Sequence, residues 1–170
     1  MVMTTSYVPV ELYLKSEYEP DADYVDGVIE ERNLGQWDHA TWQQAIQRWF
    51  ILHEAEWSVR VRPELRIQIS PTRFRVADVV VIDRSRPTEQ IITHPPLAVF
   101  EVLSPEDTVK RAMRKLGDYE AMGIPQIWLI DPETNSCYLF TEGKLIPATH
   151  YGSPNDRMYF ALSEVEPFLD

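Results

Sequence analysis

The chain has 170 residues, 44% of them hydrophobic and 25% charged, and a net charge of −11 at pH 7. This length suits one domain (residues 1–170) with a real core, and no apolar run approaches the length of a membrane span. The acidic balance argues against a general nucleic-acid coat protein, whose phosphate contacts would show as a basic surface, but it is compatible with an enzyme that gathers carboxylates around a metal.

A single cysteine, Cys137, allows neither an internal disulfide nor a cysteine-rich zinc site, so a reducing cytoplasm is expected. Met1 to Ser6 has no basic segment ahead of an apolar core, and no secretory leader is expected. The basic residues are unevenly spread. Arg60, Arg62, Arg66, Arg73 and Arg75 fall close together, as do Lys110, Arg111, Arg114 and Lys115, which is enough for a locally basic groove on an acidic protein.

In chain order, Pro9 to Lys15 reads as a short helix with proline near its start. An acidic loop follows. Tyr24 to Glu30 reads as a strand pair turning at Asp26-Gly27. From Asp38, a reasonable N-cap, to about Glu56 the pattern is helical, with Ala45, Ile46, Trp49, Phe50 and His53 at three- and four-residue spacings. Trp57 to Ile69 alternates and is interrupted at Pro63, giving one or two half-exposed strands.

Two apolar runs come next, Val76-Ala77-Asp78-Val79-Val80-Val81-Ile82 and Leu97-Ala98-Val99-Phe100-Glu101-Val102-Leu103. Their continuous character suggests strands covered on both faces. Between them lies a proline-rich loop, with Gln90 to Thr93 as a short extended piece. A helix to about Met122 carries the stripe Val109, Ala112, Met113, Leu116 and Tyr119. It begins at Ser104-Pro105 or near Thr108, and Gly123 ends it. Ile127 to Asp131 is a third buried strand. Ser136 to Thr141 and Lys144 to Ile146 form a hairpin across Glu142-Gly143, and the tail adds a strand and a helical turn. Strand, helix, strand between Leu97 and Ile130 predicts a parallel pair with a right-handed crossover. The hairpins predict a mixed sheet, and the fold class is α/β.

Each apolar run encloses one carboxylate, which is costly to bury without a partner. Residues two apart share a strand face. Asp78 is therefore expected on the face of Val76, Val80 and Ile82, and Glu101 on that of Leu97, Val99 and Leu103. On adjacent strands the two acids can converge on a hard cation such as Mg²⁺. Lys115, on the border of its helix stripe, can reach back over the sheet to orient water or stabilise a phosphorane. The structural alternative is acids paired with arginine and a solvated lysine. His39 can orient water or contact phosphate, or be an ordinary polar residue at a helix start. Arg73 and Arg75 can bind phosphate or pair with acids. Glu30 and Glu31 can reach the site but read as solvated, Asp131 reads as a turn cap, and Trp37, Trp42, Trp49 and Trp57 as packing rather than a base-stacking platform.

Several stretches together resemble the Uma2 family of endonucleases within the PD-(D/E)XK superfamily. They are Tyr24-Val25-Asp26-Gly27, His39 opening a helix, Asp78-Val79-Val80-Val81, Phe100-Glu101-Val102-Leu103-Ser104-Pro105, and Lys115-Leu116-Gly117-Asp118-Tyr119 leading to Gly123 through Pro132. The resemblance implies a restriction endonuclease-like mixed sheet flanked by helices. It further implies Asp78 and Glu101 as ligands of Mg²⁺ (Mn²⁺ as a substitute), Lys115 as the third catalytic residue, and DNA as substrate. The superfamily's lysine two residues after the second acid is replaced by Leu103, so Lys115 takes that role from the following helix. Ala77 stands where the family has proline. Asp23 stands where it often has glutamate, and with His39 it is a supporting site residue. The alternative within this fold is a non-catalytic nucleic-acid or protein interaction module. A homodimer with no membrane association is the expected assembly.

Overall fold

A computed structural model describes residues 6–170, so most of the N-terminal stretch read above for a leader, residues 1–5, lies outside the described residues. Helix α1 (Val10–Lys15) precedes a hairpin of β1 (Asp23–Val25) and β2 (Val28–Glu30). Asp26 and Gly27 turn that hairpin with φ of 48° and 93°, the pair of positive values a tight two-residue turn requires. A Cβ at Gly27 would also lie 2.3 Å from the Tyr7 ring.

Helix α2 (Trp37–Trp57) is followed by β3 (Val59–Pro63), β4 (Arg66–Ser70), β5 (Arg73–Val76) and β6 (Val79–Asp83). Then come β7 (Ala98–Val102), α3 (Val109–Met122), β8 (Gln126–Asp131), β9 (Ser136–Thr141) and β10 (Lys144–Pro147). Short strands β11 (His150–Tyr151) and β12 (Phe160–Ala161) pair before a 3₁₀ segment, Leu162–Phe168.

The main sheet has six strands in the order β10-β9-β8-β7-β6-β3. Strands β7 and β8 are parallel and joined through α3, and the other neighbours are antiparallel. The expected crossover and mixed sheet are therefore both present. Alternation along β7 divides the core. Ala98, Phe100 and Val102 face one cluster with Ile46, Phe50 and Trp57 of α2. Val99 faces the other, with Leu116 and Tyr119 of α3. A second, four-stranded sheet, β2-β1-β5-β4, packs Tyr24 and Phe74 against Tyr13 of α1.

Two local expectations are corrected and one open alternative is decided. Helix α2 starts one residue early, with Gln36 at the N-cap and no side-chain cap, so Asp38 lies in the first turn, where an acid suits the helix dipole. Helix α3 takes the later of its two starts: the Thr108 hydroxyl accepts the Arg111 N–H at 3.2 Å, and Gly123 closes the helix at φ 92°. The first apolar run is two strands rather than one. Strand β5 ends at Val76 in the small sheet and β6 begins at Val79 in the large one, so Ala77 and Asp78 form the joint between sheets.

Candidate active site

The joint decides what Asp78 does. Face alternation holds within one ladder, and Asp78 stands outside both ladders, so its expected face with Val76, Val80 and Ile82 does not apply. Strand β6 pairs β7 as far as Val79↔Phe100. Beyond that the Val102 N–H donates to Asp78 Oδ2 at 2.8 Å, and the carboxylate takes over from the missing strand. Gln43 of α2 donates to the Asp78 carbonyl at 2.9 Å, which fixes the peptide from the helix side.

His39 and Arg32 complete the shell of Asp78. His39 Nε2 lies 3.2 Å from Oδ2, and Arg32 Nη2 donates to Oδ1 at 2.7 Å. Burial alone would raise this carboxyl. The His39 hydrogen bond and the charges of His39, Arg32 and Lys115 outweigh it and hold the group well below the usual carboxylate range. The same pairing works on His39: burial lowers its pKa, but the bond to Asp78 and the charges of Asp78 and Glu101 raise it above the ordinary imidazole value. Its Nδ1 is buried without a partner.

Glu101 shares its face with Val99 as expected, and that face looks onto α3. Tyr119 donates its hydroxyl to Glu101 Oε1 at 2.6 Å, and Lys115 Nζ lies 3.2 Å from the same oxygen. These two residues are four apart on α3, one turn along the same flank. Burial pushes the Glu101 carboxyl up; Lys115 pulls it back and Asp78 repels it, and the outcome is about 7. Lys115 also donates to the Val76 carbonyl at 2.8 Å and lies 3.4 Å from Asp23. Burial lowers its pKa, but Asp23 and Glu101 more than restore it, so the ammonium stays charged.

Asp23, Asp78, Glu101, Lys115, His39 and Arg32 all line one cavity of about 110 Å³. The five residues singled out from sequence therefore come together, joined by Arg32 and Tyr119. Tyr119 had been assigned to the helix stripe alone, and nothing about a phenol on an apolar stripe shows that its hydroxyl meets an acid. Arg32 lies in the irregular stretch between β2 and α2 and carries no periodic signal.

Arg73 and Arg75, read as phosphate contacts or ion-pair partners, take the second role. Arg75 is 2% exposed and bonds Asp118 at 2.7 Å, Glu30 at 2.9 Å and Asp23 at 3.2 Å. Arg73 pairs with Asp26 and Asp118. Glu30 is correspondingly not a solvated acid, since it also meets Arg114. Asp131 caps its turn through the Glu133 N–H and the Thr134 hydroxyl. Trp42 and Trp57 are core, whereas Trp37 is 82% exposed and so departs from the packing assignment.

The donor set can be tested against a hard cation. Among the described residues, no group of three or more His, Cys, Asp or Glu is arranged to hold a metal alone. Mg²⁺ does not require one, because it keeps several waters and binds through one or two carboxylates. Glu101 makes both its contacts through Oε1. Its Oε2 is free of hydrogen bonds among the described residues. A positive charge there would offset the repulsion between Asp78 and Glu101. The residues fit such an ion.

The profile of the Uma2 family, described as "Putative restriction endonuclease", matches residues 10–158. The chain belongs to the Uma2 family. A crystal structure of a putative nuclease belonging to DUF820 from Anabaena variabilis superposes with a TM-score of 0.78 at 21% identity, over 95% of this chain and 99% of that one. That match shows the restriction endonuclease-like fold of this Uma2 chain. The DrdV-DNA complex aligns with a TM-score of 0.41 at 16% identity, over 74% of this chain and 11% of that chain, too distant to carry an argument. A search of curated proteins found no match. No helix among the described residues is long and apolar enough to cross a membrane.

Proposed function

We propose that this Uma2 protein is a metal-dependent endonuclease that hydrolyses phosphodiester bonds in DNA. The observation carrying this reading is the convergence of Asp78, Glu101 and Lys115 on one cavity from three separate elements: the sheet joint, β7 and α3.

Asp78 and Glu101 would hold Mg²⁺ or Mn²⁺. Such an ion supplies Lewis acidity and lowers the pKa of a bound water. The chain's own residues do the rest. Lys115 keeps its proton, so it is not a base; its charge stabilises the negative charge that grows on phosphate oxygens as water adds and the ester P–O bond breaks. Tyr119 and Lys115 orient Glu101. His39 and the Val102 N–H orient Asp78. Asp23 holds Lys115 from the far side and is itself fixed by the Val76 N–H at 2.8 Å and by Arg75.

The test is a plasmid-nicking assay in Mg²⁺ and in Mn²⁺, with circular dichroism to verify folding. Wild type is expected to nick, and Asp78→Ala and Lys115→Ala to lose about 100-fold or more, the scale set by removing a preorganised transition-state contact. No cleavage by wild type in either metal, or unchanged rates in both variants, would sink the proposal.

The non-catalytic module reading draws on one observation: Asp78 already has three partners in Arg32, His39 and the Val102 N–H. A protein that binds no divalent cation in calorimetry would favour it.

A further inference from the structure

Arg32 is a cation that reaches Asp78 from outside the helices and strands. It belongs to no helix or strand; residues 31–36 run between β2 and α2. Its side chain is nevertheless only 10% exposed and reaches Asp78 Oδ1 at 2.7 Å. Glu64 lies 3.5 Å from the same Nη2, and Nη1 donates to the Asp21 carbonyl at 3.3 Å. The charges of Asp78, Glu101, Asp23 and Glu64 all act on this guanidinium.

The two oxygens of Asp78 differ in what they leave open. Oδ2 is engaged by His39 and the Val102 N–H, both fixed parts of helix and strand. Oδ1 has Arg32 alone. A divalent ion held by Asp78 would have Oδ1 as the less occupied oxygen, and Arg32 holds it. A guanidinium and a dication cannot both sit close to one carboxylate oxygen without strong like-charge repulsion.

The segment carrying Arg32 is tied to the fold through side-chain contacts, whereas its target is tied to backbone. Side-chain contacts tie it across the cavity mouth: Asn33 to Asp107 at 2.6 Å, Gln36 to Glu106 at 3.0 Å, and Arg111 to the Glu31 carbonyl. Two of these three are exposed, and solvent can replace them. Asp78 is held by the backbone of β7 and by α2.

We propose that Arg32 occupies the cation's place on Asp78, and that metal binding requires it to leave. The inference rests on the metal-dependent reading above. It makes Arg32 a residue that sets the metal affinity of the site rather than a ligand. If Arg32 holds Asp78 in nine molecules of ten or more, the apparent metal affinity is about tenfold weaker or worse than that of the open site.

Calorimetric titration of Mn²⁺ into the full chain tests this with no reference to cleavage. Arg32→Ala and Arg32→Gln are compared with wild type and with Arg114→Ala. The last removes an equal charge that pairs with Glu30 and does not touch Asp78. Arg32→Gln keeps a polar side chain of useful length should the alanine variant fold poorly in EDTA. Its melting temperature, with and without Mn²⁺, supplies a second readout. The expected result is Mn²⁺ binding about tenfold tighter or more in the Arg32 variants, less than about threefold tighter in Arg114→Ala, and a larger Mn²⁺-induced rise in melting temperature for Arg32→Gln than for wild type. Equal or weaker affinity in the Arg32 variants overturns the inference and leaves the metal-dependent reading standing. Equal tightening in Arg114→Ala also overturns it, because net charge alone would then account for the effect. If no protein binds Mn²⁺ at millimolar concentration, both readings fall.

Discussion

Glu101 is a buried acid whose charge is opposed by burial and by Asp78, with Lys115 and Tyr119 working against them. Its balance can be measured as stability. The unfolded chain releases this proton near the ordinary glutamate value of 4.5, and the folded chain holds it until about 7. Between those values the folded state binds more protons, so stability falls as pH rises and levels off above the folded value. Each pH unit contributes about 1.4 kcal/mol, so crossing the window removes about 3 kcal/mol. The side chain is 13% exposed, so solvent screening leaves most of that intact. Glu101→Gln keeps the shape and an oxygen for Tyr119 but cannot titrate. Urea unfolding in EDTA at several pH values from 4.5 to 8 gives both curves. The difference, wild type minus variant, should fall by about 3 kcal/mol, roughly a 1–2 M shift in urea midpoint for an ordinary m-value. His39 titrates with the same sign; Asp78 stays beside it in both proteins, and the part of its shift that Glu101 supplies adds to the fall in the same direction. Parallel curves, differing by a constant across the range, would refute the reasoning, because they would mean that Lys115 outweighs burial and Asp78.

Arg75→Ala should cost about 3–5 kcal/mol by removing the buried guanidinium that Asp23 and Asp118 share, leaving Asp23 with Lys115 and Asp118 with Arg73; a thermal melt displaced by only a degree or two would contradict the buried-network account. Asp78 has a depressed pKa, so its contribution to stability is complete above the ordinary aspartate value of 3.8 and is lost as pH falls through the folded value. Asp78→Asn should therefore flatten the acid end of the stability profile below pH 4, and an unchanged acid limb would count against the His39 and Arg32 pairing.

The parts of this fold that the sequence reveals are those where a period repeats. The α3 stripe, with Gly123 at its end, fixes the crossover between β7 and β8, and from that the face on which Glu101 meets Lys115. The break at Ala77 and Asp78 has no such signal. Val76 precedes it and Val79-Val80-Val81-Ile82 follow it, and nothing local says that Val76 belongs to one sheet and Val79 to another. Arg75 and Asp118 are 43 residues apart, so the partner that turns a candidate phosphate contact into a buried ion pair is invisible in the flanking sequence. Arg32 is hidden for a further reason: in an irregular stretch no spacing rule fixes where a long side chain points.

The bond from the Val102 N–H to Asp78 makes this acid a piece of backbone pairing as well as a site residue. A null allele made at Asp78 therefore removes protein along with chemistry. Loosened pairing at the end of β7 raises the unfolded fraction, and cellular proteases act on it. A phenotype from that allele would confuse abundance with activity. Lys115 meets the backbone at the Val76 carbonyl, in a strand that β4 already pairs, so on the proposed reading Lys115→Met is the better separation-of-function allele: steady-state levels should stay nearer wild type than with the Asp78 allele, while cleavage is lost.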